Sequence, residues 1–166
     1  MNTIAFFSYA RRDDEAVNGL LSKIRRKLEV EVQVYAGDDE LEVFQDTDDI
    51  EPGDIWEKKL RDAIDGSAFF IPILTPFYFS RPHCRSELET WLTNYRSPSE
   101  IRRIIPIKFL PLRKPEVNAK GKPIDELRAK IDAFQYLDFT AFRKNVSLRG
   151  KLSQEISFLA QRIVKD

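Results

Sequence analysis

The sequence predicts a three-layer α/β domain built around a parallel sheet of about five strands. Short, nearly continuous apolar runs, which fit strands buried on both faces, recur along the chain. Between them lie longer segments in which apolar residues return every three or four positions, as in amphipathic helices. Strand and helix patterns therefore alternate, and strands that are connected through helices run parallel.

Residues 4–9 (IAFFSY) form the first strand pattern, and a helical stripe from residue 17 to 35 follows it. This helix is predicted to be capped near Asp13 and to end at Gly37. Every second residue from 30 to 34 is valine, which would equally suit a strand. Because the helical stripe stays in register across these valines, helix is the preferred prediction.

The second and third strand patterns are separated by an acidic loop and a helix. Residues 41–45 (LEVFQ) form the second strand candidate, and the helix is predicted from about Asp54 to Asp65. Residues 68–74 (AFFIPIL) form a strongly apolar third strand. Pro72 lacks an amide donor, which predicts a bulge or an edge position for this strand.

The second half of the chain repeats the alternation. A helix is predicted over about residues 82–96 with Ser80 as its cap, and a fourth strand, interrupted by a proline, over 104–110. Residues 111–123 are rich in proline and basic residues, which is typical of a surface loop. The remaining patterns are a short helix near 124–131, a strand near 135–139 and a last helix whose stripe runs from Leu148 to Ile163.

Composition limits the classes of protein and partner. The 166 residues are 42% hydrophobic and 33% charged, as in an ordinary soluble domain. The 27 basic residues balance 27 acidic ones, so neither nucleic acid nor a membrane is expected as a partner. One cysteine and one histidine exclude an internal disulfide and a zinc cluster, so no metal is predicted. Without a signal segment or an apolar run of about 18 residues, we expect a cytoplasmic protein.

Residues 81–91 (RPHCRSELETW) contain the chain's only histidine, its only cysteine and one of its two tryptophans. On a helical wheel Glu87 lies inside the apolar arc between Cys84 and Trp91, whereas Glu89 lies outside it. A carboxylate on a core-facing stripe is costly unless it is paired or opens into a cleft. Glu87 is therefore either a buried structural partner or a functional carboxylate.

Three loops should meet beyond the carboxyl ends of the strands, where open parallel sheets bind ligands. They are SYARRD after the first strand, DTDDIEPGD after the second and the approach to the Glu87 helix after the third. The six glycines are scattered, so the usual glycine-rich phosphate cradle is not predicted. His83 and Cys84 point about 100° apart on a helix, which argues against a nucleophilic pair.

The acidic run at residues 38–54 contains nine carboxylates. An EF-hand counted from Asp46 fails, because Ile50 occupies the fifth position and Glu51 stands where glycine is required. The other interpretation from composition is a solvated loop that caps the next helix.

Three segments together resemble a Toll/interleukin-1 receptor (TIR) domain of bacterial type. They are FFSYARRD at 6–13, EVFQDTDDIEPGD at 42–54 and HCRSELETW at 83–91. Each segment is a weak signal alone, but the three follow in the family's order and at the expected intervals, and the resemblance covers nearly the whole chain. The resemblance implies a flavodoxin-like parallel sheet and a single TIR domain over residues 1–166.

The resemblance also implies an activity. In the enzymatic branch of the family, a glutamate three residues after a cysteine is needed to cleave NAD⁺ between nicotinamide and ribose, and C-R-S-E places it at Glu87. His83 occupies a position where many members carry tryptophan. Tryptophan rings are expected to stack on nicotinamide or adenine, and Arg11 to bind the pyrophosphate. The candidate substrate-binding residues are Phe7, Ser8, Tyr9, Arg11, Asp46, Trp56, His83, Cys84 and Trp91.

Two functions from different classes follow from this resemblance. The first is a self-associating NAD⁺ glycohydrolase or cyclase, such as a bacterial defence or signalling effector, with NAD⁺ as substrate and no cofactor. A neighbouring copy would complete its site through the acidic loop, at Asp49, Ile50, Pro52 and Gly53. The second is a non-catalytic module that recruits other TIR domains. Both functions are compatible with further domains or a sensor partner outside this chain.

Two other classes of protein, one regulatory and one enzymatic, share the predicted fold class. A phosphoacceptor receiver domain is excluded because no aspartate ends the third strand at Leu74. A nucleoside deoxyribosyltransferase-like enzyme also uses a glutamate in a related fold, and it ranks behind both TIR functions.

Overall fold

The computed structural model describes residues 2–45, 58, 62–63, 66–93, 103–145 and 147–165. Within these residues five strands form one sheet in the order β2-β1-β3-β4-β5, and every pairing is parallel. This is the flavodoxin-like strand order, so the predicted fold class is confirmed. The strands are β1 (Asn2–Ser8), β2 (Leu41–Gln45), β3 (Phe69–Leu74), β4 (Ile107–Lys108) and β5 (Leu137–Asp138).

Helices connect these strands within the described part of the chain. The helix predicted from Asp54 to Asp65 is described only at Lys58, Asp62 and Ala63, and all three are helical. No described helix is both long and apolar enough to cross a membrane. The bounded helices are α1 (Arg11–Ala16), α2 (Leu20–Ala36), α3 (Pro76–Ser80), α4 (Pro82–Thr93), α5 (Glu126–Asp132) and α6 (Lys151–Lys165), with a 3₁₀ turn at Thr140–Phe142.

The helix predicted after the first strand is in fact two helices, α1 and α2. Asn18 and Gly19 separate them with φ angles of 55° and 79°, and left-handed residues cannot continue a right-handed helix. The predicted cap at Asp13 is wrong, because Asp13 lies buried in the first turn of α1. The predicted end at Gly37 is confirmed, and the valines at 30–34 are helical.

β3 lies at the centre of the sheet and its register with both neighbours is unshifted around Pro72, so the bulge or edge position predicted from Pro72 is wrong. The Phe70 amide donates to the Arg103 carbonyl at 2.8 Å, and the Phe70 carbonyl accepts from the Ile105 amide at 2.9 Å. Pro72, two residues later, therefore faces the same neighbour. The pairing there is only an isolated bridge at Ile104 and the two residues of β4. The missing donor of Pro72 falls between these two short pieces.

A short helix that the sequence did not predict, α3, directly follows β3. The Thr75 hydroxyl caps it by accepting from the Tyr78 amide at 3.1 Å. Pro76 suits the first helical position, where no amide donor is needed. The predicted cap at Ser80 is wrong, because Ser80 ends α3 and its hydroxyl donates to the Phe77 carbonyl at 3.0 Å.

Alternating strand residues pack two separate layers against the two faces of the sheet, as the period of two requires. The first layer joins the sheet to α2 and α6, and its strand residues include Ala5, Phe7, Val43, Phe69, Ile71 and Ile107. The second layer joins the sheet to α3, α4 and α5, and it contains Phe6, Phe70, Leu74, Tyr78, Cys84, Leu88, Trp91, Leu127 and Ile131. The helix that carries Glu87 thus covers the second layer.

Candidate functional site

Four polar or charged side chains are buried within the described residues: Ser8, Asp13, Thr75 and Glu87. All four belong to segments that lie at or follow the carboxyl end of a strand. Ser8 ends β1, Asp13 lies in the helix after it, Thr75 follows β3 and Glu87 lies in α4. The carboxyl edge of an open parallel sheet is where such folds bind ligands. The buried polar groups are therefore concentrated where a site is expected.

Glu87 is 4% exposed, and its carboxylate is held by a chain of hydroxyl groups. The Ser8 hydroxyl donates to Oε2 of Glu87, and Ser8 Oγ lies 2.9 Å from the Tyr78 hydroxyl oxygen. A serine hydroxyl has one proton, and Ser8 gives it to the carboxylate, so Tyr78 is the donor to Ser8. Tyr78, Ser8 and Glu87 thus form a directed hydrogen-bond chain that ends on the carboxylate.

Tyr78 keeps its proton in this environment. Burial raises the pKa of Tyr78 well above its usual range, and the nearby Cys84 and Glu87 raise the pKa further. The hydrogen bond with Ser8 opposes this rise. Tyr78 is therefore a neutral donor at ordinary pH, consistent with the direction of the chain.

Asp13 is a second buried carboxylate, 5% exposed, at the same edge of the sheet. The Thr75 hydroxyl donates to Oδ2 of Asp13 and accepts from the Tyr78 amide. Burial raises the pKa of Asp13 above its ordinary value. The Thr75 hydrogen bond and the charges of Arg143 and Arg81 oppose this rise without cancelling it. The two buried carboxylates are thus linked to the same tyrosine.

Trp91 and Cys84 are packed in the second layer beside this chain. The Trp91 ring stacks on Phe70 with centroids 5.2 Å apart and an interplanar angle of 16°. Both Trp91 and Cys84 are buried. Cys84 is close enough to Tyr78 to help raise the pKa of the tyrosine. These two side chains therefore share the buried face of α4 with Glu87.

Helix α4 is fixed to α5 by Arg85. Its guanidinium makes two hydrogen bonds to the Asp125 carboxylate, at 2.8 and 3.1 Å, and a third to the Phe79 carbonyl at 3.0 Å. The hydrogen bond from Arg85 lowers the pKa of Asp125, so the pair stays charged until the solution is acidic. This anchor sets the position of the helix that carries Glu87.

Comparison with known proteins identifies the family. The family model for the TIR domain matches residues 5–148. The chain belongs to the TIR domain family. The TIR domain of the Toll-related receptor TRR-2 from Hydra magnipapillata has a similar structure, with 21% identity, a TM-score of 0.50 and coverage of 95% of this chain and 97% of that chain. At that identity the similarity shows the fold alone. Comparison with curated proteins gives no match.

The family match confirms the resemblance drawn from the three segments, whereas the bacterial type remains a prediction. In this TIR domain, Ser8, Cys84 and Trp91 lie in the layer that contains Glu87. His83 is half-buried on the same helix. Arg11 is exposed at the start of α1, where its Nε lies 3.7 Å from Oε1 of Glu15.

Phe7 and Tyr9 are not brought to Glu87 by the structure. Phe7 is buried in the first layer, on the opposite face of the sheet. The Tyr9 ring meets Phe7 edge-on at 5.7 Å, and its hydroxyl lies 2.9 Å from Ser22 Oγ on α2. The alternation of faces along β1 and on to Tyr9, directly after it, separates both aromatic residues from Ser8. We therefore leave them out of the proposed site.

Residues 46–56 of this TIR domain lie outside the described residues. They include Asp46 and Trp56, predicted to contact the substrate, and Asp49, Ile50, Pro52 and Gly53, predicted to mediate self-association. They remain predictions. Among the residues that are described, no group of three or more His, Cys, Asp or Glu side chains is placed to hold a metal ion.

Sequence reasoning missed Tyr78, Thr75 and the burial of Asp13. Only Thr75 carried a local signal, since threonine followed by proline after an apolar strand is a typical helix start. Tyr78 meets Ser8 across 70 residues of sequence, and Thr75 meets Asp13 across 62. Such contacts depend on the sheet order and leave no local pattern.

Proposed function

We propose that this TIR domain cleaves NAD⁺ between nicotinamide and ribose, with Glu87 as the catalytic carboxylate. The observation that carries the proposal is the buried Glu87 carboxylate, which Ser8 and Tyr78 hold at the carboxyl edge of the sheet. A buried carboxylate costs stability that an apolar residue of similar size would not. Its spacing from Cys84 also resembles the pattern of the enzymatic branch of the family.

The reaction needs only one carboxylate. The nicotinamide ring of NAD⁺ is a cationic pyridinium. It leaves the anomeric carbon with both electrons of the glycosidic bond and becomes neutral nicotinamide, so no general acid has to protonate it. Water then adds to the anomeric carbon, releases a proton and gives ADP-ribose. If an adenine nitrogen attacks instead, the product is cyclic. Ionised Glu87 stabilises the positive charge that develops at the anomeric carbon and accepts hydrogen bonds from ribose hydroxyls.

The remaining substrate contacts are also part of the proposal. Arg11, exposed at the start of α1, is suited to the pyrophosphate because its guanidinium can donate two hydrogen bonds to phosphate oxygens. Asp46 and Trp56 stay candidate contacts with the substrate. NAD⁺ enters as the substrate, and the proposal includes no cofactor.

The second candidate function is a non-catalytic module that binds other TIR domains. His83, at a position where many members carry tryptophan, favours it, and a buried acid hydrogen-bonded to Ser8 is compatible with a purely structural role. TIR domains generally interact with other TIR domains, so self-association is proposed for both functions. For the enzyme, a second copy would supply through residues 46–56 a wall that encloses more of the dinucleotide.

NAD⁺ loss measured from nanomolar to tens of micromolar protein tests the proposal. The enzyme predicts release of nicotinamide with ADP-ribose or its cyclic form, and a specific activity that rises as light scattering shows association. Gly53→Val should impair association and turnover together. A protein that associates but never consumes NAD⁺ is the interaction module. Constant specific activity from a monomer would rule out a shared site.

A further inference from the structure

The two buried carboxylates lie at opposite ends of one hydrogen-bonded chain. At one end the Thr75 hydroxyl donates to Asp13 and accepts from the Tyr78 amide at 3.1 Å. At the other end the Tyr78 hydroxyl lies 2.9 Å from Ser8, which donates to Glu87. Each of these five side chains is buried. This series of hydrogen-bonded side chains therefore connects the segment after β1 to α4 through the turn after β3.

Tyr78 is the residue in which the two ends of the chain meet. Its amide is fixed by Thr75, and its hydroxyl is fixed by Ser8. It lies on α3, which has only five residues, and so short a helix depends on its cap more than on its own hydrogen bonds. The cap works only while the Thr75 hydroxyl points its oxygen at the Tyr78 amide. Asp13 fixes that orientation, because it accepts the hydroxyl proton.

We infer that Asp13 is a positioning residue for Glu87, acting through Thr75, Tyr78 and Ser8. The inference rests on the proposed function of Glu87. Arg81 and Arg143 influence Asp13 through their charge, whereas Thr75 holds it by a hydrogen bond. A purely structural role for Asp13 is the competing explanation. The two differ in whether loss of the Asp13 hydrogen bond changes the chemistry at Glu87 in the folded protein.

Matched variants separate the hydrogen bond from charge and shape. Asp13→Ala removes the acceptor, and Thr75→Val removes the hydroxyl while keeping the side-chain shape. Asp13→Asn keeps a carbonyl acceptor, and Thr75→Ser keeps the hydroxyl. We expect the first pair to lower kcat per folded molecule by about tenfold with KM changed by less than about twofold. The second pair should stay within about twofold of the wild type in both parameters.

A double-mutant cycle tests whether Asp13 acts through Tyr78. Tyr78→Phe removes the hydroxyl that reaches Ser8. In that background Asp13→Ala should lower kcat by less than about twofold, because the connection to Glu87 is already broken. Thr75→Val serves in the same cycle if Asp13→Ala does not fold. An equal loss in both backgrounds, or an unchanged kcat for the folded single variants, would overturn the inference.

Cys84 provides a readout that does not require activity. It is the chain's only cysteine and is buried near Tyr78, one turn before Glu87. A thiol reagent should label Cys84 about tenfold faster in Asp13→Ala and Thr75→Val, but not in Thr75→Ser. The labelling rate should depend little on denaturant, because a local opening of the fold exposes far less surface than global unfolding. If the wild type consumes no NAD⁺, the proposed function fails. The labelling rates still test whether the hydrogen bonds of Asp13 and Thr75 stabilise the surroundings of Cys84. Unchanged labelling in both variants would overturn the connection itself.

Discussion

The two layers that cover the sheet bury different chemistry. The first layer, against α2 and α6, is a continuous apolar core. The second layer, against α3, α4 and α5, encloses the hydrogen-bonded chain from Tyr78 through Ser8 to Glu87. Neighbouring residues on β1 show the difference, since Phe7 enters the first layer and Ser8 the second. The fold thus separates a layer that provides stability from a layer that also carries the proposed chemistry.

Leu28→Ala should have the largest effect on stability, because Leu28 is fully buried in the first layer. We expect the free energy of unfolding to fall by about 2–5 kcal/mol, from lost burial and a residual cavity. Turnover per folded molecule should stay within about twofold. Denaturant unfolding and the NAD⁺ assay measure the two quantities. A tenfold loss of kcat in the folded variant would break the separation between the layers.

Ser8→Ala should affect both quantities, because it leaves the Tyr78 hydroxyl and Oε2 of Glu87 without their common partner. We expect a loss of about 1–3 kcal/mol in stability and about tenfold in kcat, which is roughly 1.4 kcal/mol of barrier. Ser22→Ala is the matched control. Ser22 bonds Tyr9 at 2.9 Å and Asp14 at 2.5 Å on the other side of the sheet. Equal kcat losses in both variants would contradict the comparison.

Asp13→Asn should change the pH dependence of stability. Burial raises the pKa of Asp13, so the native state binds more protons than the unfolded chain above the ordinary value of 3.8. Wild-type stability therefore falls as pH rises from that value through the raised pKa. The variant lacks this decrease and should gain stability relative to the wild type across the window. Chemical denaturation at several pH values measures the free energy of unfolding of both proteins. If the wild type instead gains stability relative to the variant as pH rises, the pKa of Asp13 is lowered.

His83→Trp should have the smallest effect. His83 is half-buried on α4, at a position where the family resemblance expects tryptophan. A larger ring offers more stacking surface, so NAD⁺ turnover should be preserved or raised. Steady-state kinetics measures it. A loss of more than about tenfold, roughly 1.4 kcal/mol, would indicate a specific polar contact by His83.

The parts of the fold that follow from local periodicity were predicted well. β2 occupies the predicted residues, and β3 begins one residue later than expected. The helical wheel placed Glu87 inward and Glu89 outward, and the structure confirms this with Glu87 buried and Glu89 exposed. A helix's period fixes which residues share a face, so the burial of a single carboxylate is readable from sequence.

Features that depend on the assembled sheet were not predicted. The apolar stripe continues across the break between α1 and α2, so the left-handed Asn18 and Gly19 were overlooked. Pro72 was expected at a bulge or an edge because sequence does not show that its neighbouring strand is interrupted. Tyr78 lies in a short aromatic run whose partner is distant in sequence. The candidate carboxylate was therefore found from sequence, but the hydroxyl chain that holds it required the structure.

The most direct test of the central claim compares NAD⁺ turnover by the wild type, Glu87→Gln and Glu89→Gln at high protein concentration. The glutamine at position 87 keeps the shape and an acceptor for Ser8 but removes the charge. We predict at least about a hundredfold loss of kcat, roughly 2.7 kcal/mol, with an unchanged fold by circular dichroism. Glu89→Gln, at an exposed position, should match the wild type. Wild-type turnover by Glu87→Gln would contradict a catalytic role, and its unfolding would assign Glu87 to structure.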